Sequence, residues 1–246
     1  MNRDLLADFF NFYDDEISLC DGFDVAMFSG DRAFSFIALS FDEAMLLMDV
    51  SENIANHIRH EDVARLVSDD LEWYLPALRD RFILPEHLLV AQYHGPVLPR
   101  GAAELPEGAH IAYWLVSDEG QLPSNPESRG LRLSELATRC ADSLHLTEAF
   151  RLDTPCDNTI FSFTRLTCAE AQSLVKGTRM LHNHIGQEAL ATVIGDRLGV
   201  DTPMVCDKTP IDGHMLLAQY RGQPLSDGAA TPLETADIEY WLITRQ

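Results

Sequence analysis

Residues Leu88–Val116 read LLVAQYHGPVLPRGAAELPEGAHIAYWLV, and residues Met215–Ile243 read MLLAQYRGQPLSDGAATPLETADIEYWLI. Gln92, Tyr93, Gly95, Leu98, Gly101, Ala102, Ala103, Ile111, Tyr113, Trp114 and Leu115 recur as Gln219, Tyr220, Gly222, Leu225, Gly228, Ala229, Ala230, Ile238, Tyr240, Trp241 and Leu242, each 127 residues on. Extended back to Phe34 against Phe161, the alignment runs without a gap and holds about 32 identities over about 83 positions. Self-similarity at a fixed offset is the mark of an internal duplication. The 246-residue chain is therefore expected to hold two units: residues 1–118, a linker at 119–130, and residues 131–246.

A unit of this size can bury its own core, and two copies on one chain can pack as a homodimer does. The composition, 46% hydrophobic and 9% aromatic, is that of an ordinary globular protein and argues against disorder. No apolar run of about 18 residues suggests a membrane span, and no basic segment leads an apolar one, so a cytoplasmic protein is expected. Five cysteines, Cys20, Cys140, Cys156, Cys168 and Cys206, form no CxxC pair and read as thiols of a reducing compartment. Neither a metal nor a cofactor is expected. The net charge of −21 opposes a long nucleic acid, which needs clustered Lys and Arg. A small anion held by helix N-termini and a few placed cations remains compatible with it.

Along the chain, Arg3–Leu19 has an apolar periodicity that predicts an added N-terminal helix. Phe23–Phe28 and Ala33–Leu39 predict a hairpin around Ser29-Gly30-Asp31. Ser40 with Glu43, and Thr167 with Glu170, have the spacing of capping boxes. Helices are expected from His60 to about Leu75 and over Gln187–Leu198, the latter closed by Gly199. Strands are expected near Arg79–Leu84, at His87–Tyr93 and at Ala109–Val116, where alternation of Ile111, Tyr113 and Leu115 marks one buried face. The polar stretch 117–130 predicts the linker, and Leu131–Leu146 an amphipathic helix. Each unit is then an α+β arrangement, a mixed five-stranded sheet with two or three helices.

Asn183-His184-Ile185-Gly186-Gln187-Glu188-Ala189-Leu190, the Asp212-Gly213-His214 approach to Gln219-Tyr220, and the Gly-Ala-Ala to Tyr-Trp-Leu close together resemble a known family. It is that of the small viral ring nucleases, which act as type III anti-CRISPR proteins. The resemblance covers roughly residues 23–116 and 150–244. It implies a pseudo-twofold intramolecular dimer, because family members are homodimers that bind cyclic tetra-adenylate at the dimer interface. They cleave it without metal: a ribose 2′-OH attacks the neighbouring phosphate, and a histidine at the start of the second helix protonates the leaving oxygen. A histidine poised near neutral pH at a helix N-terminus suits that role.

This chain departs from the family pattern. Its first repeat carries Ile58-Arg59-His60-Glu61 where the family has I-G-H-E, and its second carries Ile185-Gly186-Gln187-Glu188. The family's loop arginine is absent from both copies, and its loop glutamate is replaced by Arg100 in one and Asp227 in the other. His60 and Asp227 are the candidate catalytic residues, as one composite site. His57 and His184, at matching positions, are candidate ligand contacts, as are Gln187, Arg59, Arg100 and the aligned pair Arg81 and Lys208. Two readings follow from the erosion. The first is an anti-defence protein that sequesters a cyclic nucleotide or related nucleotide messenger in a cavity between the repeats; the second is an active metal-independent phosphodiesterase. A third, from the acidity alone, is a protein-binding inhibitor that imitates nucleic acid. Further homo-oligomerisation is left open.

Overall fold

The computed structural model describes residues 16–51, 53–76, 78, 87–122, 126–150, 159–202, 213–221 and 238–246. Among the described residues the chain forms ten strands and five α-helices, a mixed α/β architecture. It folds as two compact units, one made of Met1–Ser29, Phe34–Glu119 and Pro155–Ile160, the other of Gly30–Ala33, Gly120–Thr154 and Phe161–Gln246.

In the first unit the elements are β1 (Glu16–Cys20), β2 (Arg32–Leu39), α1 (Phe41–Val50), β3 (Asn53–Asn56), α2 (Glu61–Asp70), β4 (His87–His94) and β5 (His110–Gln121). Their strand order is β3-β1-β4-β5-β2. β1 runs parallel to β3 and β4, whereas β4 and β5 form an antiparallel pair that brings His94 opposite His110. The core gathers Ile17 and Leu19 from β1, Leu89 and Ala91 from β4, and Tyr113 and Leu115 from β5. Against them lie Ala44, Leu47 and Met48 of α1 and Val63 and Val67 of α2. The helical residues recur at three- and four-residue spacing, so each helix turns one apolar stripe onto the strands. α1 begins where the sequence predicts: the Ser40 hydroxyl accepts the Glu43 N–H, and the Glu43 carboxylate accepts the Ser40 N–H at 2.8 Å. Such a cap stabilises a helix by about 1 kcal/mol.

The second unit has α3 (Pro126–Arg139), β6 (Ser143–Thr147), β7 (Thr159–Leu166), α4 (Cys168–Gly177), β8 (Met180–Asn183), α5 (Glu188–Leu198), β9 (Met215–Tyr220) and β10 (Ile238–Arg245). Its strand order is β8-β6-β9-β10-β7, the first unit's order element for element. From β6 onward, every element starts within one residue of the position 127 beyond its counterpart. Thr167 and Glu170 form the second capping box. α5 ends at Gly199, whose φ of 70° is a left-handed conformation that glycine adopts without strain. Here Glu170 also takes both guanidinium nitrogens of Arg129, at 2.5 and 3.2 Å, which ties α3 to the start of α4.

Several expectations fail for identifiable reasons. The N-terminal helix cannot reach Leu19, because Glu16–Cys20 is strand β1; residues 1–15 lie outside the described residues. Phe23–Phe28 is no strand: Asp24 caps a 3-10 turn at Val25–Met27 by accepting the Ala26 N–H at 2.8 Å. The expected linker is ordered at both ends, since β5 extends to Gln121 and α3 starts at Pro126. That helix stops at Arg139, so Ser143–Leu146 belongs to β6 rather than to a helix ending at Leu146. The second helix of the first unit ends at Asp70, short of Leu75. β5 buries Trp114 and Val116 as well as Tyr113 and Leu115, so both of its faces are covered. The strand expected near Arg79–Leu84 falls outside the described residues. Among the described residues no helix is long and apolar enough to cross a membrane.

Candidate functional site

The parallel strands β1 and β3 end side by side, and the chain leaving β3 turns into α2 within four residues. That turn is over-determined. The His57 N–H continues the ladder by donating to the Leu19 carbonyl at 2.8 Å. The Ile58 N–H donates to the Asn56 side chain at 3.0 Å, and Ile58 itself enters the core. The Arg59 and His60 N–H groups both donate to one oxygen of Asp21, at 3.0 and 3.1 Å. An anion at this place satisfies amides that the helix leaves orphaned and meets the positive end of its dipole.

His60 is the N-cap of α2. Its backbone is extended, and its Nδ1 accepts the Val63 N–H at 3.4 Å. An imidazole nitrogen that accepts carries a lone pair, so this cap requires the Nε2–H tautomer. One turn along, Asp62 accepts the Gly101 N–H at 3.0 Å and pairs with Arg65 at 2.7 Å. This fastens the β4–β5 loop, and with it Arg100, to the first turn of α2. The start of α2 thus collects exposed Arg59, the His60 ring and the loop bearing Arg100. His57, by contrast, is buried at 8% exposure.

The second unit repeats the backbone and changes the side chains. The His184 N–H donates to Leu146 O at 2.8 Å and the Ile185 N–H to the Asn183 side chain at 3.2 Å. Glu148 replaces Asp21 and accepts the Gly186 N–H, at 3.4 Å. Gln187 occupies the N-cap of α5 with no side-chain hydrogen bond to the helix. Three imidazoles cluster on β6 and at the end of β8. The rings of His145 and His182 stack at 4.8 Å, and His145 Nδ1 lies 2.9 Å from His184 Nε2.

Of the residues singled out from sequence, Arg59 and His60 lie at the start of α2 with the loop bearing Arg100 fastened to its first turn, and His184 and Gln187 lie on the approach to α5. Arg81, Lys208 and Asp227 lie outside the described residues. The sequence reading missed Asp21 and Glu148, although they sit 127 residues apart just after matching segments. It also missed His145 and His182, whose partnership depends on the register of β6 with β8.

The two buried thiols are inert in character. Burial pushes Cys20 well above the usual thiol range, and Cys140 to about 11, while Cys168 is exposed and unbonded to other cysteines. Tyr113 and Tyr240 are core residues. Burial first, and then the hydrogen bond at 2.5 Å to Asp70, raises Tyr113 beyond any acid–base use near neutral pH. Among the described residues, no group of three or more His, Cys, Asp or Glu side chains is placed to hold a metal ion. No protein-family model matches this chain, and no curated protein matches it.

Proposed function

We propose that this chain is a tandem duplication acting as an anti-defence protein, one that captures a cyclic nucleotide or related nucleotide messenger and holds it uncleaved. The proposal includes the pseudo-twofold pairing of repeats that the family resemblance implies. The observation that carries the reading is the start of α2, where exposed Arg59 and His60 adjoin a loop bearing exposed Arg100, fastened to Asp62 through the Gly101 N–H, in a chain of net charge −21. Cations retained at one spot against such a charge favour a compact anion.

Holding is favoured over cleavage by the state of His60. A general acid must give up a proton from an imidazolium, whose Nδ1–H would then point at the Val63 N–H and break the cap. Asp21 already occupies the amides of Arg59 and His60, so phosphate contacts fall to the Arg59 and Arg100 side chains rather than to the helix end. Gln187 at the other N-cap has no acid–base chemistry to contribute. His184, His57, Arg81 and Lys208 remain the further candidate contacts, and Asp227 the candidate second catalytic group.

Thermal denaturation with a panel of cyclic oligonucleotides and ADP-ribose-type signals tests the reading. A ligand at a hundredfold excess over Kd stabilises by about 2.7 kcal/mol, a rise of about 5–10 °C for a chain of this length. Intact ligand recovered on heating, with the shift reduced in Arg59→Ala and Arg100→Ala, is the expected result. Linear products ending in 2′,3′-cyclic phosphate, lost in His60→Ala, would instead establish the phosphodiesterase. Silence across the panel with capture of a host nuclease would select the acidic mimic, which the −21 charge also favours.

A further inference from the structure

The second unit holds a cluster that the messenger reading does not use as a whole. β6 and β8 are parallel, and their register sets His145 opposite His182. Paired residues of neighbouring strands project from the same face, and so does the residue two positions on. His145, His182 and His184 therefore share one face, with His145 in the middle: its ring stacks on His182 at 4.8 Å and on His184 at 5.2 Å. The matching positions in the first unit are Ser18, Ala55 and His57, so that unit has no such trio. β8 lies at the end of its unit's strand order, held on one side by β6. The chain after it, through His184 and Gly186, leads directly into α5.

We propose that the His145–His184 hydrogen bond is a proton-sensitive latch that fastens β8 and the approach to α5 onto β6. A bond between two imidazole nitrogens 2.9 Å apart needs a hydrogen on one and a lone pair on the other. Two neutral rings supply this, and so does one neutral ring with one imidazolium. Two imidazolium rings cannot: both nitrogens then carry hydrogen, and two positive charges face each other with His182 stacked alongside. The latch stays closed while the two rings together carry no more than one extra proton, and it opens when acidification adds the second, which the first positive charge opposes.

The charged and titratable groups of the surrounding elements decide how sharply it opens. Glu148, just past β6, accepts the Gly186 N–H and places a carboxylate on the approach to α5. At the start of β9, His214 gives its carbonyl to the His145 N–H; burial and Arg139 of α3 both lower its own proton affinity, so it adds no early charge. Asp142 and Arg179, ahead of β6 and β8, form a strongly exposed ion pair at 3.8 Å and nearly cancel. Glu188 opens α5. The opposition of the two rings across 2.9 Å is therefore what the second proton meets. This device is independent of any ligand.

The test is amide hydrogen exchange by NMR on the full chain, with rates expressed as protection factors so that the pH dependence of exchange chemistry cancels. Between about pH 8 and about pH 5, protection at Met180–His184 should fall about tenfold or more, while β9 and β10 hold theirs. In His145→Gln, whose amide donates and accepts at any pH, the difference between the two pH values should shrink to about twofold or less. Should that variant not fold, the ring ¹⁵N shifts of the unaltered protein decide. Coupled titration of His145 and His184 in two separated steps supports the latch, and independent single steps overturn it. Unchanged protection at β8 in the unaltered protein overturns it equally.

Discussion

The starts of α2 and α5 occupy the same place in their units and are built from different chemistry. In both, a strand ends, an Asn side chain takes the next-but-one N–H, and an acid follows the neighbouring parallel strand. Yet α2 is capped by His60 and by an Asp21 that takes two amides, whereas α5 has at its N-cap a Gln187 whose side chain does not cap it, and a Glu148 that takes the Gly186 amide. Backbone and acid are kept while the ring and the arginine are not. The scaffold therefore asks for an anion at the helix start and supplies one internally, so what distinguishes the two ends is their side-chain cations. Arg59 and Arg100 mark the first end, and neutral Gly186 and Gln187 mark the second.

The largest expected effect tests whether the units are equivalent at all. Phe36 and Phe163, 127 residues apart, are each fully buried. Phe36→Ala and Phe163→Ala should each cost about 3–5 kcal/mol in urea denaturation, within about 1 kcal/mol of one another. A clear inequality would break the comparison in the core rather than at the site.

Next comes the cap that the second unit reinforces. The hydrogen bonds from Arg129, and then those from Thr167, hold the Glu170 carboxyl at about 2, below its ordinary value of 4.5. The group is depressed in the folded state, so its contribution is complete above about pH 4.5 and is lost as pH falls toward 2. Because the pair is partly exposed, solvent screening limits that contribution to about 1–2 kcal/mol. Glu170→Gln should remove it and flatten the stability profile between those pH values, while Glu43→Gln, whose amide oxygen still accepts the Ser40 N–H, should change stability little.

Smaller still is the N-cap difference. His60→Ala should cost about 0.5–1 kcal/mol through loss of the Val63 bond, and Gln187→Ala close to nothing. Equal costs would mean that Nδ1 is not capping α2, which would remove the argument against His60 as an acid. Last, Asp21→Asn keeps the acceptor and deletes its charge. Stability should change by about 0.3–1 kcal/mol, and affinity for a phosphate-bearing ligand at this end should rise by about two- to fivefold, read by calorimetry.

Much of this was legible in the sequence because it depends on local chemistry. Ser40 with Glu43, Thr167 with Glu170, and Gly199 after Leu198 are short-range signals, and the structure places caps at each. The strands β4 and β5 were equally readable as apolar runs, although β5 buries both faces and not the one that alternation marked. What failed was the boundary between competing periods. Leu144 and Leu146 alternate around His145 as a strand does, but they continue the apolar spacing of α3 and so read as its tail. Pro126 looked like a linker residue, although a helix accepts proline at its first position. At the site, His60 was visible because it stands in a recognisable motif. Asp21, 39 residues away, became a partner only through the parallel pairing of β1 with β3. The histidine trio needed a register that no local rule supplies.

The most direct measurement is native mass spectrometry of the intact chain after incubation with cyclic tetra-adenylate and the wider nucleotide panel. Capture predicts a complex whose added mass equals one uncleaved messenger and which weakens when Arg59 and Arg100 are replaced by alanine. A bare chain throughout the panel, or added mass matching a hydrolysed product that vanishes with His60→Ala, would contradict it.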